Sequence, residues 1–528
     1  MRWVSSLDGV EASNKFVVYG VVSQIDVRKG NVKYVAEIYG AYGWSKVEEG
    51  ALVRFYGLEG NCHLWWRLFH YQFMEWDAED WWHLLPTPSD YSPDPIKAVN
   101  LGGWLVTEGW ITPDLFNNIP VNKDLLDGTK LRLKSVTQKN YLSAKNGGGW
   151  TIIANKPSAS TWETFKLWRI TETTFQFRVH NWHFFGIDDN GNLVATSTSS
   201  DDLDFSHTFV IVREDDKPNR IRIKAPNGSF LQDTNWGDDD PSVFILKNLY
   251  QLQGEFQVTN GYGPKLSASV MKKHWNSFIV EDEFKFIFEN GLNAVRIPVG
   301  KYNIKVIIDI HAMPNSQNGW EHSGTRDGLQ SWGQTDDSID QSVSVVDFLT
   351  SRYANRSSFY AIELINEPLA PGVTLESLKK YYKAGYDIVR KYSNVFVIMS
   401  NRLSISHPTE LIKFASGFSG SVVDVHYYNV FSKIFKGMSV QQNIDYVYNN
   451  RASTLSSLMV SNGPLIFVGE WVDDMDVENA SKNDYQRFGY AQVDVFGRAT
   501  FGWSYWTLKA AKTQWSLEWM IKNGYINV

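Results

Sequence analysis

Residues 359–368 read Phe-Tyr-Ala-Ile-Glu-Leu-Ile-Asn-Glu-Pro, an apolar run that ends on two polar side chains and a proline. The run 360–364 predicts a buried strand, with Asn366 and Glu367 at its C-terminal end. Seven further runs have the same texture, at 98–101, 293–297, 306–309, 395–399, 422–425, 465–468 and 502–506. Amphipathic helical stretches such as 375–392 fall between several of them. Eight strands with intervening helices predict an α/β fold, the (β/α)8 TIM barrel.

One junction does not fit this scheme. With the apolar residues that flank them, the second strand ends at Val299 and the third begins at Ile304, whereas parallel neighbours need a crossover of about ten to twelve residues. The barrel is therefore expected to be incomplete between strands 2 and 3, either broken locally or lacking a segment.

The first strand is separated from the other seven by a stretch of different texture. Residues 128–258 consist of short alternating strands with Gly, Asn and Asp turns, and the pattern repeats. Leu142, Phe185 and Leu231 open three units, 43 and 46 residues apart, and Phe165, Phe209 and Phe244 close them. Three all-β units of about 40 residues predict an inserted trefoil-like domain, in which no single unit buries its own face. The third unit is short by a hairpin. The expected organisation is an unassigned N-terminal extension (1–94), with Trp65, Trp66, Trp76, Trp81 and Trp82 in an aromatic patch. The start of the barrel (95–127), the insert (128–258) and the remainder of the barrel (259–528) follow.

Composition narrows the function. The 528 residues carry 51 basic and 58 acidic side chains, net −7. Such a balance argues against nucleic acid, because phosphate binding needs clustered Lys and Arg. No apolar run approaches the ~18 residues that cross a bilayer, and no basic segment followed by an apolar one opens the chain, so no signal peptide is visible. The single cysteine, Cys62, excludes an internal disulfide and a Cys-based zinc site. Aromatic residues make up 15% of the chain, a supply of flat apolar rings that suits sugars but also an ordinary large core.

In a TIM barrel the working residues stand at the C-terminal ends of the strands. Those ends carry Arg296, His311, Asn366 with Glu367, Asn401, His426 with Tyr428, Glu470 and Trp506. Glu367 and Glu470 lie on strands four and seven, which face each other across the mouth. Two carboxyls meeting there are what glycoside cleavage requires, one as proton donor and one as nucleophile or base. Singly, each glutamate could as well cap a helix or pair with a cation. Glu363, Asp309 and Asp424, just inside their strands, read as structural carboxylates. No His-x-x-x-His spacing marks a metal site. Trp506 is the candidate floor beneath a sugar ring, with Trp104, Trp320, Trp332 and Trp471 behind it.

Taken together, NLGGWLVTEGW (100–110), NAVRIPVG (293–300), KVIIDIHAMPNSQNGWEHSG (305–324), ELINEP (363–368), VVDVHYYNVF (422–431), FVGEW (467–471) and GWSYWTLK (502–509) resemble glycoside hydrolase family 5. The match is to the plant branch similar to glucan 1,3-β-glucosidase, which carries an inserted fascin-like β-trefoil domain. Here GTKLRLKSVTQKNYLSAKNGGG (128–149) and WETFKLWRI (162–170) resemble that insert. The resemblance implies a retaining β-glycosidase acting on β-glucans or β-glucosides, with Glu470 as nucleophile and Glu367 as acid/base. It places Arg296, His311, Asn366, His426, Tyr428 and Trp506 around the sugar and implies no cofactor and no metal. A monomer exported to the cell wall is the expected form. The alternative is a carbohydrate-binding protein in which the short junction has impaired catalysis.

Overall fold

The computed structural model describes residues 95–198, 207–230, 239–296 and 304–528, together with the backbone of six short strands within 1–94. The side chains of the N-terminal aromatic patch, and positions Leu231 and Val299, lie outside the described residues. The chain divides into two compact units. One comprises Met1–Tyr71, Asp114–Lys272 and Thr325–Gly328, the other Gln72–Pro113, Lys273–Gly324 and Leu329–Val528.

The second unit holds a closed ring of eight parallel strands: β1 (Ile96–Asn100), β2 (Ala294–Arg296), β3 (Lys305–Asp309), β4 (Phe359–Glu363), β5 (Phe396–Ser400), β6 (Ser421–Tyr427), β7 (Leu465–Trp471) and β8 (Gly502–Tyr505). The ring closes through β8 and β1, with Gly502 opposite Ile96 and Tyr505 opposite Val99. This is the (β/α)8 barrel.

It is not open where the sequence marked a short junction. β2 and β3 pair in parallel, from Ala294 opposite Lys305 to Arg296 opposite Ile307. The nine peptide steps from Arg296 to Lys305 can reach ~30 Å, enough to join two adjacent parallel strands.

The ring's interior is filled by complementary sizes. Ala98, Ala294 and Ala361 leave room for Phe396, Phe467 and Phe501, all buried in one cluster. Phe501 stands edge-on to Phe396 and Phe467 at 5.2 and 5.4 Å between ring centres. Each buried phenyl ring stabilises the fold by about 2–3 kcal/mol.

The helix Leu375–Tyr392 shows how the outer layer positions the strand ends. It starts at Thr374, whose hydroxyl accepts the Ser377 N–H, a capping contact worth ~1 kcal/mol. Leu378, Tyr381, Tyr382, Gly385 and Val389 form its buried stripe, at the spacing of a helix face. Two hydroxyls on that stripe reach past the apolar layer. Tyr381 donates to the Leu364 carbonyl at 2.6 Å and Tyr382 to the Ser400 carbonyl at 2.5 Å. They satisfy backbone acceptors where β4 and β5 end, next to the candidate site.

In the other unit, ten antiparallel-paired strands between Lys130–Ser135 and Val243–Tyr250 form one sheet. Leu142, Phe165, Phe185, Phe209 and Phe244, the described residues that open and close the sequence repeats, converge in a single buried cluster. Phe185 packs edge-on to Phe165 at 5.0 Å and stacks on Phe177 at 4.9 Å.

Candidate active site

The C-terminal ends of the strands carry a buried polar cluster centred on Arg296, the last residue of β2. Its guanidinium donates from Nε to Glu363 Oε2 at 2.7 Å and from Nη1 to Glu470 Oε1 at 2.8 Å and Asn100 Oδ1 at 2.9 Å. Nη2 donates to Asn366 Oδ1 at 2.7 Å and lies 3.3 Å from Asp309 Oδ2. A planar fork with several fixed donors can hold this many acceptors at once. Burial works against its charge, yet Asp309, Glu363 and Glu470 hold its pKa well above the ordinary value. Burial also raises the Glu363 carboxyl well above its usual range; Arg296 opposes this, and the charges of Asp424 and Asp309 add to it.

Glu470 completes its contacts with the Tyr428 hydroxyl, which donates to Oε2 at 2.7 Å. The residue before it explains how β7 can turn this side chain inward. Asp424 Oδ1 accepts the Gly469 N–H at 2.7 Å, and any Cβ at Gly469 would stand 2.3 Å from that oxygen. Only glycine admits so close an approach.

Glu367 lies beyond the end of β4 with φ 46°, a left-handed conformation that costs a non-glycine residue about 1–3 kcal/mol and is concentrated at functional sites. Two imidazoles flank its carboxylate. His426 Nδ1 lies 2.8 Å from Oε1, and His322 Nε2 lies 3.3 Å from Oε2. Burial alone would raise the Glu367 pKa, but the hydrogen bonds from His322 and His426 and their charges hold it far below the usual carboxylate range. His426 is in turn 2.8 Å from Asp424 Oδ2 and 3.4 Å from Glu470 Oε2. Against burial, the charges of Glu470 and Asp424 keep its pKa well above the ordinary histidine value.

An oxygen of Glu367, an oxygen of Glu470 and a nitrogen of His426 all lie within 4.8 Å of one another, and the ligand atoms of Glu363, Asp424 and His426 form a similar group. Every acid in these groups is already engaged by Arg296, Tyr428, a backbone N–H or an imidazole. A cation would have to displace those partners.

The remaining residues singled out in the sequence divide sharply. His311 donates through Nδ1 to Asp309 Oδ2 at 2.6 Å and stacks on Trp506, ring centres 5.4 Å apart and planes within 10°. Gly102 also packs close to Trp506, where a Cβ would come within 2.7 Å of the indole. Asn366 Nδ2 is 3.5 Å from His311 Nε2. Asn401 turns away to donate to the Pro408 carbonyl at 2.7 Å. Trp332 and Trp471 are core residues, fully buried, with the Trp332 indole donating to Ser342. Trp104 donates to the Trp275 carbonyl, and Trp320 is half-exposed beside His322.

Several residues of the cluster were not singled out in the sequence. Asn100 links β1 to β7 and β8 by donating to the Gly469 and Tyr505 carbonyls at 2.9 and 3.1 Å. Gln317 donates to the His311 and Asn366 carbonyls, and Asn318 to the Glu367 carbonyl at 3.1 Å. Glu108, buried after β1, accepts the Trp110 indole N–H at 2.9 Å and lies 3.9 Å from His322 Nδ1. Burial raises the Glu108 carboxyl, and the neighbouring His322 and His311 counter it.

Two family models match the chain. Residues 122–249 match a domain of unknown function (DUF7910), and residues 299–512 match Cellulase (glycosyl hydrolase family 5). Among curated proteins the chain is similar to "Glucan 1,3-beta-glucosidase" of Yarrowia lipolytica, 28% identical over 53% of this chain and 84% of that one. It is also similar to the protein of the same name from Kluyveromyces lactis, 24% identical over 54% and 83%. "Probable glucan 1,3-beta-glucosidase A" of Aspergillus terreus is 28% identical over 51% and 80%. The protein is a glycoside hydrolase. The residues that match the family 5 model, 299–512, include strands β3–β8 of the barrel.

Proposed function

We propose that the protein is a retaining β-glycosidase that hydrolyses β-glucans or β-glucosides, in the manner of a glucan exo-1,3-β-glucosidase. The observation that carries the reading is the approach of Glu367 and Glu470, with oxygens within 4.8 Å. Retaining enzymes hold their two carboxyls ~5–5.5 Å apart, too close to admit a water between them, so the second acts directly on the sugar.

Glu470, oriented by Arg296 and Tyr428, attacks the anomeric carbon as the carboxylate while Glu367 delivers a proton to the departing oxygen. The glycosyl–Glu470 ester is then hydrolysed by a water that Glu367 deprotonates. Asn366, fixed by Arg296, bonds the hydroxyl next to the anomeric carbon, and Trp506 with His311 forms a rigid wall for the ring. His426 holds Glu367 and Glu470 in one frame. The all-β insert is a trefoil-like module, for which the convergence of Leu142, Phe165, Phe185, Phe209 and Phe244 in one core is the support. No helix among the described residues is long and apolar enough to cross a membrane; a monomer exported to the cell wall suits a polysaccharide substrate. The alternative, a carbohydrate-binding protein whose short junction impairs catalysis, predicts glucan binding with no turnover of any β-glucoside.

Two variants test the assignment. Glu470→Gln should lower kcat on an aryl β-glucoside by at least ~10⁴-fold. Glu367→Ala should lose ~10²–10⁴-fold on alkyl β-glucosides yet cleave a dinitrophenyl glucoside at near the wild-type rate. Equal losses on both substrates in both variants would refute the two roles.

A further inference from the structure

The geometry around Glu367 poses a problem for an acid catalyst. Its two oxygens face imidazole nitrogens at 2.8 and 3.3 Å, which hold it as an anion, whereas the first step needs a proton on it. We propose that His322 is a positioning residue that stores the proton Glu367 passes to the leaving group; the inference rests on the acid/base role given above.

His426 is unsuited to that task. It faces Asp424, Glu367 and Glu470 within 3.4 Å, and all three carboxylates hold its charge. His322 is held more loosely. Apart from Glu367, the acid nearest it is Glu108, at 3.9 Å from Nδ1. The charged or titratable groups facing the ring come from every side: Glu367 beyond β4, Glu108 after β1, Glu470 on β7, and His311 at 5.3 Å between ring centres. Glu321 precedes it in the chain. Burial works against a charge on His322, but the Glu367 hydrogen bond, with the charges of Glu367, Glu108 and Glu470, raises its pKa to about 9. At neutral pH the proton resides there.

Two features favour its release at the right moment. Glu470 is one of the charges that hold the proton, and attack on the anomeric carbon converts that carboxylate to a neutral ester, which weakens the hold. Asn318 Nδ2 lies 3.2 Å from the same Nε2, a donor ready for the lone pair once the proton has left. The step balances. The Nε2 proton moves to the Glu367 carboxylate at Oε2, and the carboxyl so formed passes that one proton to the glycosidic oxygen; the C–O bond breaks, its electron pair stays with the leaving alcohol, and the Glu470 C–O bond forms. The ensemble ends with neutral His322, anionic Glu367 and esterified Glu470. In the second step water supplies a hydroxyl to the sugar and a proton back to the pair.

The test compares wild type with His322→Asn and His322→Gln. The alkaline limb of kcat/KM, set in wild type by a group near 9, should fall by ~2 or more pH units in both variants, because Glu367 alone must then hold the proton beside His426. Methyl β-glucoside turnover should drop ~10²-fold, with less than a ~3-fold change for a dinitrophenyl glucoside. In wild type carrying 13C-labelled histidine, one imidazole signal absent from His322→Asn should titrate near 9. Its midpoint should fall when a 2-fluoro sugar traps Glu470 as the ester. An alkaline limb unmoved within about half a pH unit, equal losses on both substrates, or an ordinary midpoint for that signal would overturn the proposal. A wild-type protein that cleaves no β-glucoside would instead refute the proposed function, and the imidazole titration would still decide the stored proton.

Discussion

The eight strands of the barrel have two ends, built from the same backbone to opposite rules. At the N-terminal end Ala98, Ala294, Ile307, Phe396, Phe467 and Phe501 fill the ring with apolar volume alone. A few residues further along the same strands stand Arg296, Asp309, Glu363, Asp424, His426 and Glu470, nearly all as thoroughly buried. Burying charge costs several kcal/mol per ion before pairing offsets it, so this end cannot be there for stability. Its acids share the cations Arg296 and His426, with Arg296 alone touching five acceptors. One end supplies stability that tolerates the other, a division expected where function overrides local rules.

Removing the central cation should test that division most severely. Arg296→Met leaves Glu363, Asp309 and Glu470 facing one another uncompensated, and the fold should lose about 3–5 kcal/mol at neutral pH. Lowering the pH to about 5 should recover part of the loss as the crowded carboxyls take up protons. Chemical denaturation at the two pH values reads both effects. A variant as stable as wild type would show that the charged end is no burden. Phe467→Leu at the apolar end should cost only ~1 kcal/mol, equally at both pH values, with kcat per folded molecule unchanged. A pH-dependent cost there would mean that the two ends are not separate.

The sequence anticipated the two ends unequally. Strand positions were legible because parallel strands buried on both faces read as continuous apolar runs. The described limits of β4, Phe359–Glu363, differ from the expected 360–364 by one residue at each end. Residues that follow such runs were legible with them, because a barrel brings all strand ends to one rim. Glu108 and His322 were not. They sit in irregular loops 214 positions apart, with no periodicity to mark them, and they meet only because the loops after β1 and β3 cover the same mouth. The tryptophans were hard to rank for a different reason. Trp332 and Trp506 are both buried, and only packing decides that one donates to Ser342 while the other stacks on His311. The short junction at Val299 predicted a local break or a missing segment; β2 and β3 pair and the ring is closed, while residues 297–303 lie outside the described residues.

The smallest effect concerns an acid that lies at the charged end but outside its network. Asp473, two residues beyond β7, is fully buried, and neither carboxyl oxygen has a hydrogen-bond partner among the described residues. Its neighbour Asp474 is treated otherwise, paired with Lys512 and accepting the Trp515 indole N–H at 2.8 Å. Burial, and then the charge of Asp474, push the Asp473 pKa well above the ordinary value. A carboxyl that holds its proton more tightly when folded gives stability that is full below the unfolded pKa of about 3.9. That stability is lost as pH rises through the folded value. Asp473→Asn cannot titrate, so its stability should not fall over that window. Near pH 4 the variant and wild type should agree within ~0.5 kcal/mol, and near pH 8 the variant should be the more stable by ~1 kcal/mol, the lower end of the cost of an unpartnered buried polar group. Thermal melting across that range measures the difference. Parallel curves would mean that the barrel tolerates a lone buried acid as readily as the paired ones. Diverging curves would assign the tolerance of Glu470 and Glu363 to Arg296, and not to the strand ends as such.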